Sequence, residues 1–193
     1  MYLCKRKKLN EEEKKELQMQ KKIYQEASDK LDKIASPIYA KYEDKMRNPF
    51  SKECNEARED YQKELENTPS YKMQKNIRDK ADKRIAEIEQ IEDIGYWRKH
   101  PDLHGYLEDL YIERGGTGEF NCVELPLSEE DCEDIIELAK QRLKADKNDV
   151  KHTQGFFFGE TQLEQWEETI SIFEKALNTV NFDIEEIYYD SWW

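Results

Sequence analysis

The sequence predicts an α+β protein, with a small antiparallel sheet and packed helices interrupted by a long charged helical arm. Three observations lead there. Residues 10 to 92 contain no glycine and space their sparse apolar side chains at helical intervals. All seven glycines, all four tryptophans and six of the seven phenylalanines fall in residues 95 to 193. Both chain ends read as strands, Tyr2-Leu3-Cys4 and Ile187-Tyr188-Tyr189-Asp190-Ser191-Trp192-Trp193, and pairing them in one antiparallel sheet accounts for the ring area at the C-terminus. The body is thus residues 1–9 plus 93–193. Residues 10–92 form the inserted arm, folded as a hairpin or as three helices.

The arm opens on Asn10-Glu11-Glu12-Glu13, an Asn cap followed by an acidic first turn with Glu at the capping-box position. Leu17, Tyr24, Leu31 and Ile38 then recur every seventh residue, with Ala27 and Ile34 three residues after Tyr24 and Leu31, which is a heptad seam. Pro37 removes a backbone donor and predicts a kink or break near Ser36. Asn48-Pro49-Phe50-Ser51 is the first clear turn. Ser51 caps a second helix bearing Cys54, Ala57, Tyr61 and Leu65, and Thr68-Pro69-Ser70 breaks the chain before a third, with Met73, Ile77, Ala81, Ile85 and Ile88 as its apolar stripe. A stripe so narrow belongs to a helix that touches one partner.

In the body, Pro101 opens a helix bearing Leu103, Leu107, Leu110 and Tyr111 and ending before Gly115-Gly116. Phe120 to Leu125 reads as a short strand ended by Pro126. Ser128 caps an acidic-apolar helix with Cys132, Ile135, Ile136, Ala139 and Leu143 on its buried face, and Thr161 with Glu164 forms a capping box before Trp166, Ile170, Phe173 and Leu177. Phe156-Phe157-Phe158, between Gly155 and Gly159, reads as a short extended segment.

Composition excludes several classes. The 193 residues carry 44 acidic and 31 basic side chains, a net charge of −13. No window approaches the roughly 18 residues of uncharged apolar chain that a membrane span needs, and no apolar stretch follows the basic residues near Met1. The expectation is a soluble, cytoplasmic protein without a membrane partner. An aromatic share of 11% is too high for a disordered acidic tail. Cys4, Cys54, Cys122 and Cys132 lack CxxC pairing, so reduced thiols are expected rather than a zinc site or a disulfide framework. The charge is unevenly spread. Residues 10–92 hold 18 basic and 20 acidic side chains, whereas residues 93–193 hold 9 basic and 24 acidic. The arm is nearly neutral and the body carries the field.

The densest mixture of aromatic, basic and titratable groups is Tyr96-Trp97-Arg98-Lys99 with His104. Trp97, Arg98, Lys99 and His104, with Gln154 at a rim, are the candidate ligand-binding residues: rings shield an anion from water while Arg98 offers a bidentate fork. The competing reading makes Trp97 core and His104 a hydrogen-bonded structural residue, with His100 facing solvent. Thr153-Gln154-Gly155 up to Gly159 is no phosphate loop, because three Phe fill it and no Gly-Lys-Ser/Thr follows. No catalytic residue, metal site or cofactor is assigned.

The segments Gly95-Tyr96-Trp97-Arg98-Lys99 with His104, Phe120-Asn121-Cys122 through Leu127-Ser128, Thr153-Gln154-Gly155 through Gly159, and Tyr188-Tyr189-Asp190-Ser191-Trp192-Trp193 together resemble a family of small bacteriophage proteins of unassigned role, as does the opening Met1-Tyr2-Leu3. The resemblance covers the first nine and roughly the last hundred residues. In the family a Ser stands between the residues matching Gln154 and Gly155, and a Trp follows the His, where this chain has Gly105-Tyr106. The resemblance implies a phage or prophage source and a target in the host cytoplasm, and no catalytic mechanism.

Two functions follow as expectations. The first is an accessory protein that binds and inhibits a host protein, an anti-defence factor of the anti-CRISPR kind, whose acidic surface fits a groove built for nucleic acid. Direct nucleic-acid binding is not expected of so acidic a chain, and its oligomeric state is open. The second is a binder or enzyme for an anionic small molecule such as a nucleotide, using the Trp97, Arg98, Lys99 and His104 pocket.

Overall fold

The structure is a computed structural model that describes residues 1–144 and 161–192. The chain divides into two compact units, Met1–Lys8 with Gln90–Trp193, and Leu9–Glu89. The predicted Phe156-Phe157-Phe158 segment lies outside the described residues.

The first unit, the body, is built, among the described residues, on a four-stranded antiparallel sheet of β1 (Tyr2–Lys7), β2 (Glu92–Tyr96), β3 (Leu125–Leu127) and β4 (Glu185–Asp190), in the order β2-β1-β4-β3. The two terminal segments pair at its centre, Leu3 opposite Tyr189 and Lys5 opposite Ile187. β2 is a strand that the sequence did not announce: of its side chains only Ile94 is buried, so it shows no clear alternation. β3 also departs from expectation. It runs through Pro126 rather than stopping there, and Phe120 lies before it as a core side chain. An edge strand is paired on one side only, so a proline without an N–H is tolerated.

Among the described residues, three helices complete the body: α4 (Pro101–Glu113), α5 (Glu129–Lys144) and α6 (Leu163–Thr179). α4 ends where Gly115 takes φ +85°, a conformation open to glycine, with Gly115 N–H donating to Ile112 O and Gly116 N–H to Tyr111 O, both at 2.9 Å. Those bonds form the Schellman cap that satisfies the last carbonyls. α5 starts from a reciprocal cap, with Asp131 N–H donating to Ser128 Oγ at 3.1 Å and Ser128 N–H to Asp131 Oδ2 at 2.6 Å. At α6 the predicted Thr161/Glu164 pair is displaced by one residue. Gln162 N–H donates to Gln165 Oε1 at 2.7 Å, and Thr161 Oγ1 instead accepts from Asp102 N–H at 3.2 Å. The helices and the inner face of the sheet close on Leu3, Leu103, Leu107, Ile135, Phe173 and Ile187, all fully buried.

The second unit, the arm, is a hairpin of two limbs. The first limb is α1 (Glu11–Tyr39) and a 3-10 helix (Glu43–Met46). The second is α2 (Lys52–Asn67) and α3 (Pro69–Glu89). The Asn10 cap forms as read, Oδ1 accepting from Glu12 and Glu13 N–H at 3.0 and 2.9 Å. No break occurs at Ser36, since α1 continues through Pro37 to Tyr39. Cross-limb contacts run antiparallel: Glu16 with Arg84 at 2.7 Å, the Tyr39 and Tyr61 rings 5.8 Å apart, and Tyr42 Oη donating to Glu64 at 2.9 Å. Ala27, Leu31 and Ile38 are buried from one limb, and Leu65, Ala81 and Ile88 from the other.

The apolar stripe of α3 is only half right. Met73 and Ile77 are exposed, whereas Gln74 is buried in line with Ala81 and Ile88. A helix packed on a single partner turns in two residues per heptad, and the antiparallel register selected 74, 81 and 88, buried, with 71, 78 and 85 half-buried between them.

Candidate functional site

The residues proposed for an anion pocket are dispersed. Trp97 is 1% exposed; its Nε1 donates to Thr169 Oγ1 at 3.0 Å, and that hydroxyl donates onward to Gln165 O at 2.8 Å. The indole packs on Phe173, centroids 6.0 Å apart. His104 is 2% exposed, stacked on Phe120 at 5.1 Å with its Nδ1 2.8 Å from Tyr189 Oη. Neither ring has a solvent-facing surface to offer a ligand. Arg98 and Lys99 are exposed and form no ion pair among the described residues, and Gln154 lies outside them. Two of the five therefore belong to the core and two to the surface.

His100 is the residue most unlike its expectation. Rather than facing solvent it is fully buried as the N-cap of α4, with Nδ1 accepting from Leu103 N–H at 3.3 Å and its ring in a T-shaped contact with Trp166, centroids 4.4 Å apart. Its Nε2 has no hydrogen-bond partner among the described residues. Burial lowers the pKa of His100 to about 3 and that of His104 to about 4, so both rings are neutral. A neutral, enclosed imidazole packed on aromatics is a structural element rather than a base with access to substrate. Among the described residues, no group of three His, Cys, Asp or Glu is placed to hold a metal ion.

The basic groups around the sheet are engaged. Arg6 donates from Nε to Glu186 at 2.6 Å and from a terminal nitrogen to Glu124 at 2.8 Å, with its guanidinium 4.6 Å above the Tyr188 ring. Lys5 lies between Glu92 at 3.2 Å and Glu185 at 3.3 Å. Arg114 grips both oxygens of Asp131, at 2.6 and 2.7 Å, and this with the Ser128 hydrogen bonds holds that carboxyl below its usual range despite partial burial, which acts the other way.

The carboxylates of α5 and α6 are placed differently. Cys132, Ile135, Ile136 and Ala139 turn α5 inward, so Glu129, Glu130, Glu133, Asp134 and Glu137 share its outer face, all exposed. On α6, Trp166, Thr169, Phe173 and Ala176 point inward and leave Glu164, Glu167 and Glu168 outside. α5 and α6 pack against each other, bridged by Lys140 and Glu174 at 4.0 Å. Apart from that bridge, no ion pair among the described residues neutralises either acidic face. The α5 face was readable from the sequence, because its acidic positions fall opposite the apolar ones at helical spacing.

No family model matches the chain, and no curated protein or solved structure does either. Among the described residues, no helix is long and apolar enough to cross a membrane.

Proposed function

We propose that this chain is a phage-encoded accessory protein that binds and inhibits a host protein, an anti-defence factor whose acidic α5 and α6 faces enter the cationic groove of a nucleic-acid-handling effector in the host cytoplasm. The observation that carries this reading is the α5 face, five exposed carboxylates on one side of a helix whose other side is core. Burying no apolar group on that face, the protein gains rapid and salt-sensitive association with a basic partner rather than a hydrophobic grip. The phage origin rests on the motif resemblance alone.

The test is affinity capture from bacterial lysate at low and high salt, beside a variant carrying Glu130→Gln, Glu133→Gln, Asp134→Asn and Glu137→Gln. A nucleic-acid-binding protein retained by the parent at low salt, and lost both at high salt and from the variant, is the expected result. Retention indifferent to salt, or equal on the variant, overturns the reading.

A further inference from the structure

The arm is close to neutral overall, yet its charges are not evenly paired. Lys14, Lys21, Lys41, Lys63 and Arg84 each meet a carboxylate. Lys72, Lys75 and Lys80 on α3 are exposed and meet none among the described residues. These three, with Asn76, Asp79 and Lys83, line a shallow groove of about 370 Å³ on the outer face of the helix. Asp79 is already held by Arg78 at 2.9 Å, and Lys83 is only loosely paired, 4.0 Å from Glu87. The groove is therefore a cationic strip with its one carboxylate neutralised.

We propose that this outer face of α3 is a contact surface for the phosphate backbone of nucleic acid, a role separate from that of the acidic body. From Lys72 to Lys83 is eleven residues, about 16 Å of helix at about 1.5 Å per residue. One strand of a duplex presents a phosphate about every 3.4 Å of axis, so the strip matches roughly five of them. The lining decides between a nucleic acid and an acidic protein. Protein interfaces are depleted in Lys and centre on an aromatic or apolar anchor. This groove is lined by four Lys, an Asn amide and the Arg78-paired Asp79, with no apolar side chain, and its Lys and Asn are groups that contact phosphates without reading bases.

The strip accounts for three to four released counterions, so affinity falls roughly a hundred-fold between 50 and 200 mM salt. The test is fluorescence anisotropy of the whole protein with a labelled 20-base-pair DNA duplex at those two salt concentrations. The variant Lys72→Gln/Lys75→Gln/Lys80→Gln is compared with Lys15→Gln/Lys22→Gln/Lys33→Gln, equal in charge but placed on the outer face of α1, where Glu26 and Asp29 intervene. Gln is a good helix former, and circular dichroism checks that both variants keep their helices. Duplex binding with that salt dependence, kept by the α1 variant and weakened more than tenfold in the α3 variant, is expected. Absence of duplex binding at 50 mM salt, equal loss in both variants, or poly-glutamate bound as tightly as duplex each overturn the proposal, the last by assigning the strip to an acidic protein.

Discussion

Nδ1 of His104 lies 2.8 Å from Oη of Tyr189, and the two side chains are 2% and 0% exposed. The contact joins α4 to the central strand β4 inside the body core, where burial keeps the imidazole uncharged. His100, one helical turn earlier, is equally enclosed.

This enclosure gives the fold a pH dependence of known sign. Both rings have pKa values of about 3 and about 4 in the folded protein, against 6.5 in the unfolded chain, so below pH 6.5 the unfolded state binds protons that the folded state refuses. The contribution is complete above pH 6.5 and is lost as pH falls toward 4. At pH 5 the loss is on the order of 2 kcal/mol for each ring. Urea unfolding at pH 7 and pH 5 measures it. His100→Asn keeps an N-cap acceptor and removes one titration, so it loses less stability over that interval; an unchanged pH dependence in this variant would refute the assignment.

The thiols divide by access. Burial raises the Cys4 thiol to about 12, aided by the Asp93 carboxylate that accepts its hydrogen bond, and burial likewise raises Cys132 to about 12. Cys54 is fully buried, whereas Cys122 is exposed. A disulfide-exchange reagent at pH 8 is expected to titrate one thiol promptly and all four after denaturation. Cys122→Ser removes the fast phase, and a fast phase surviving in that variant contradicts the buried placement of the others.

Gln74 is a local fault in the arm. Its amide oxygen is buried, at a position aligned with Ala81 and Ile88, and has no hydrogen-bond partner among the described residues. Removing an unsatisfied buried carbonyl relieves a cost of about 1–3 kcal/mol, so Gln74→Leu is expected to stabilise the hairpin and raise its melting temperature by circular dichroism. A lower melting temperature would overturn this reading.

Gly95 is constrained by a neighbour rather than by its backbone. A Cβ there would overlap the Ile172 side chain, because α6 lies directly against β2. Gly95→Ala is expected to cost about 1–3 kcal/mol in urea unfolding, as overpacking does. Pairing it with Ile172→Ala, which removes the atoms that a Cβ would meet, is expected to recover part of that loss, and simple additivity of the two changes would place the strain elsewhere.

Much of the arm was legible because its signals are local. The Asn10 and Ser51 caps, the Leu31–Ile38 seam and the stop before Pro69 each depend on residues within two turns of one another. The central pairing of β1 with β4 was legible for another reason: only a buried strand accommodates rings as dense as Tyr188-Tyr189. β2 was missed because its pairing with β1 is fixed by the partner strand and not by any alternation of its own. The anion pocket was misread because adjacency of Trp97, Arg98 and Lys99 in sequence says nothing of direction. The indole is drawn to Thr169 and Phe173, and its two basic neighbours stay outside.

By itself the sequence determined the α+β class, the charged helical insertion and the concentration of acidity in residues 93–193, all of which follow from composition and short-range spacing. Tertiary structure alone decided that Gln74 rather than Met73 turns inward, that His100 is enclosed, and that Lys72, Lys75 and Lys80 meet no carboxylate among the described residues while Arg84 finds Glu16. Each of these depends on which residue the far limb or helix presents at that point. That register is set by contacts between residues distant along the chain, which helical periodicity does not encode.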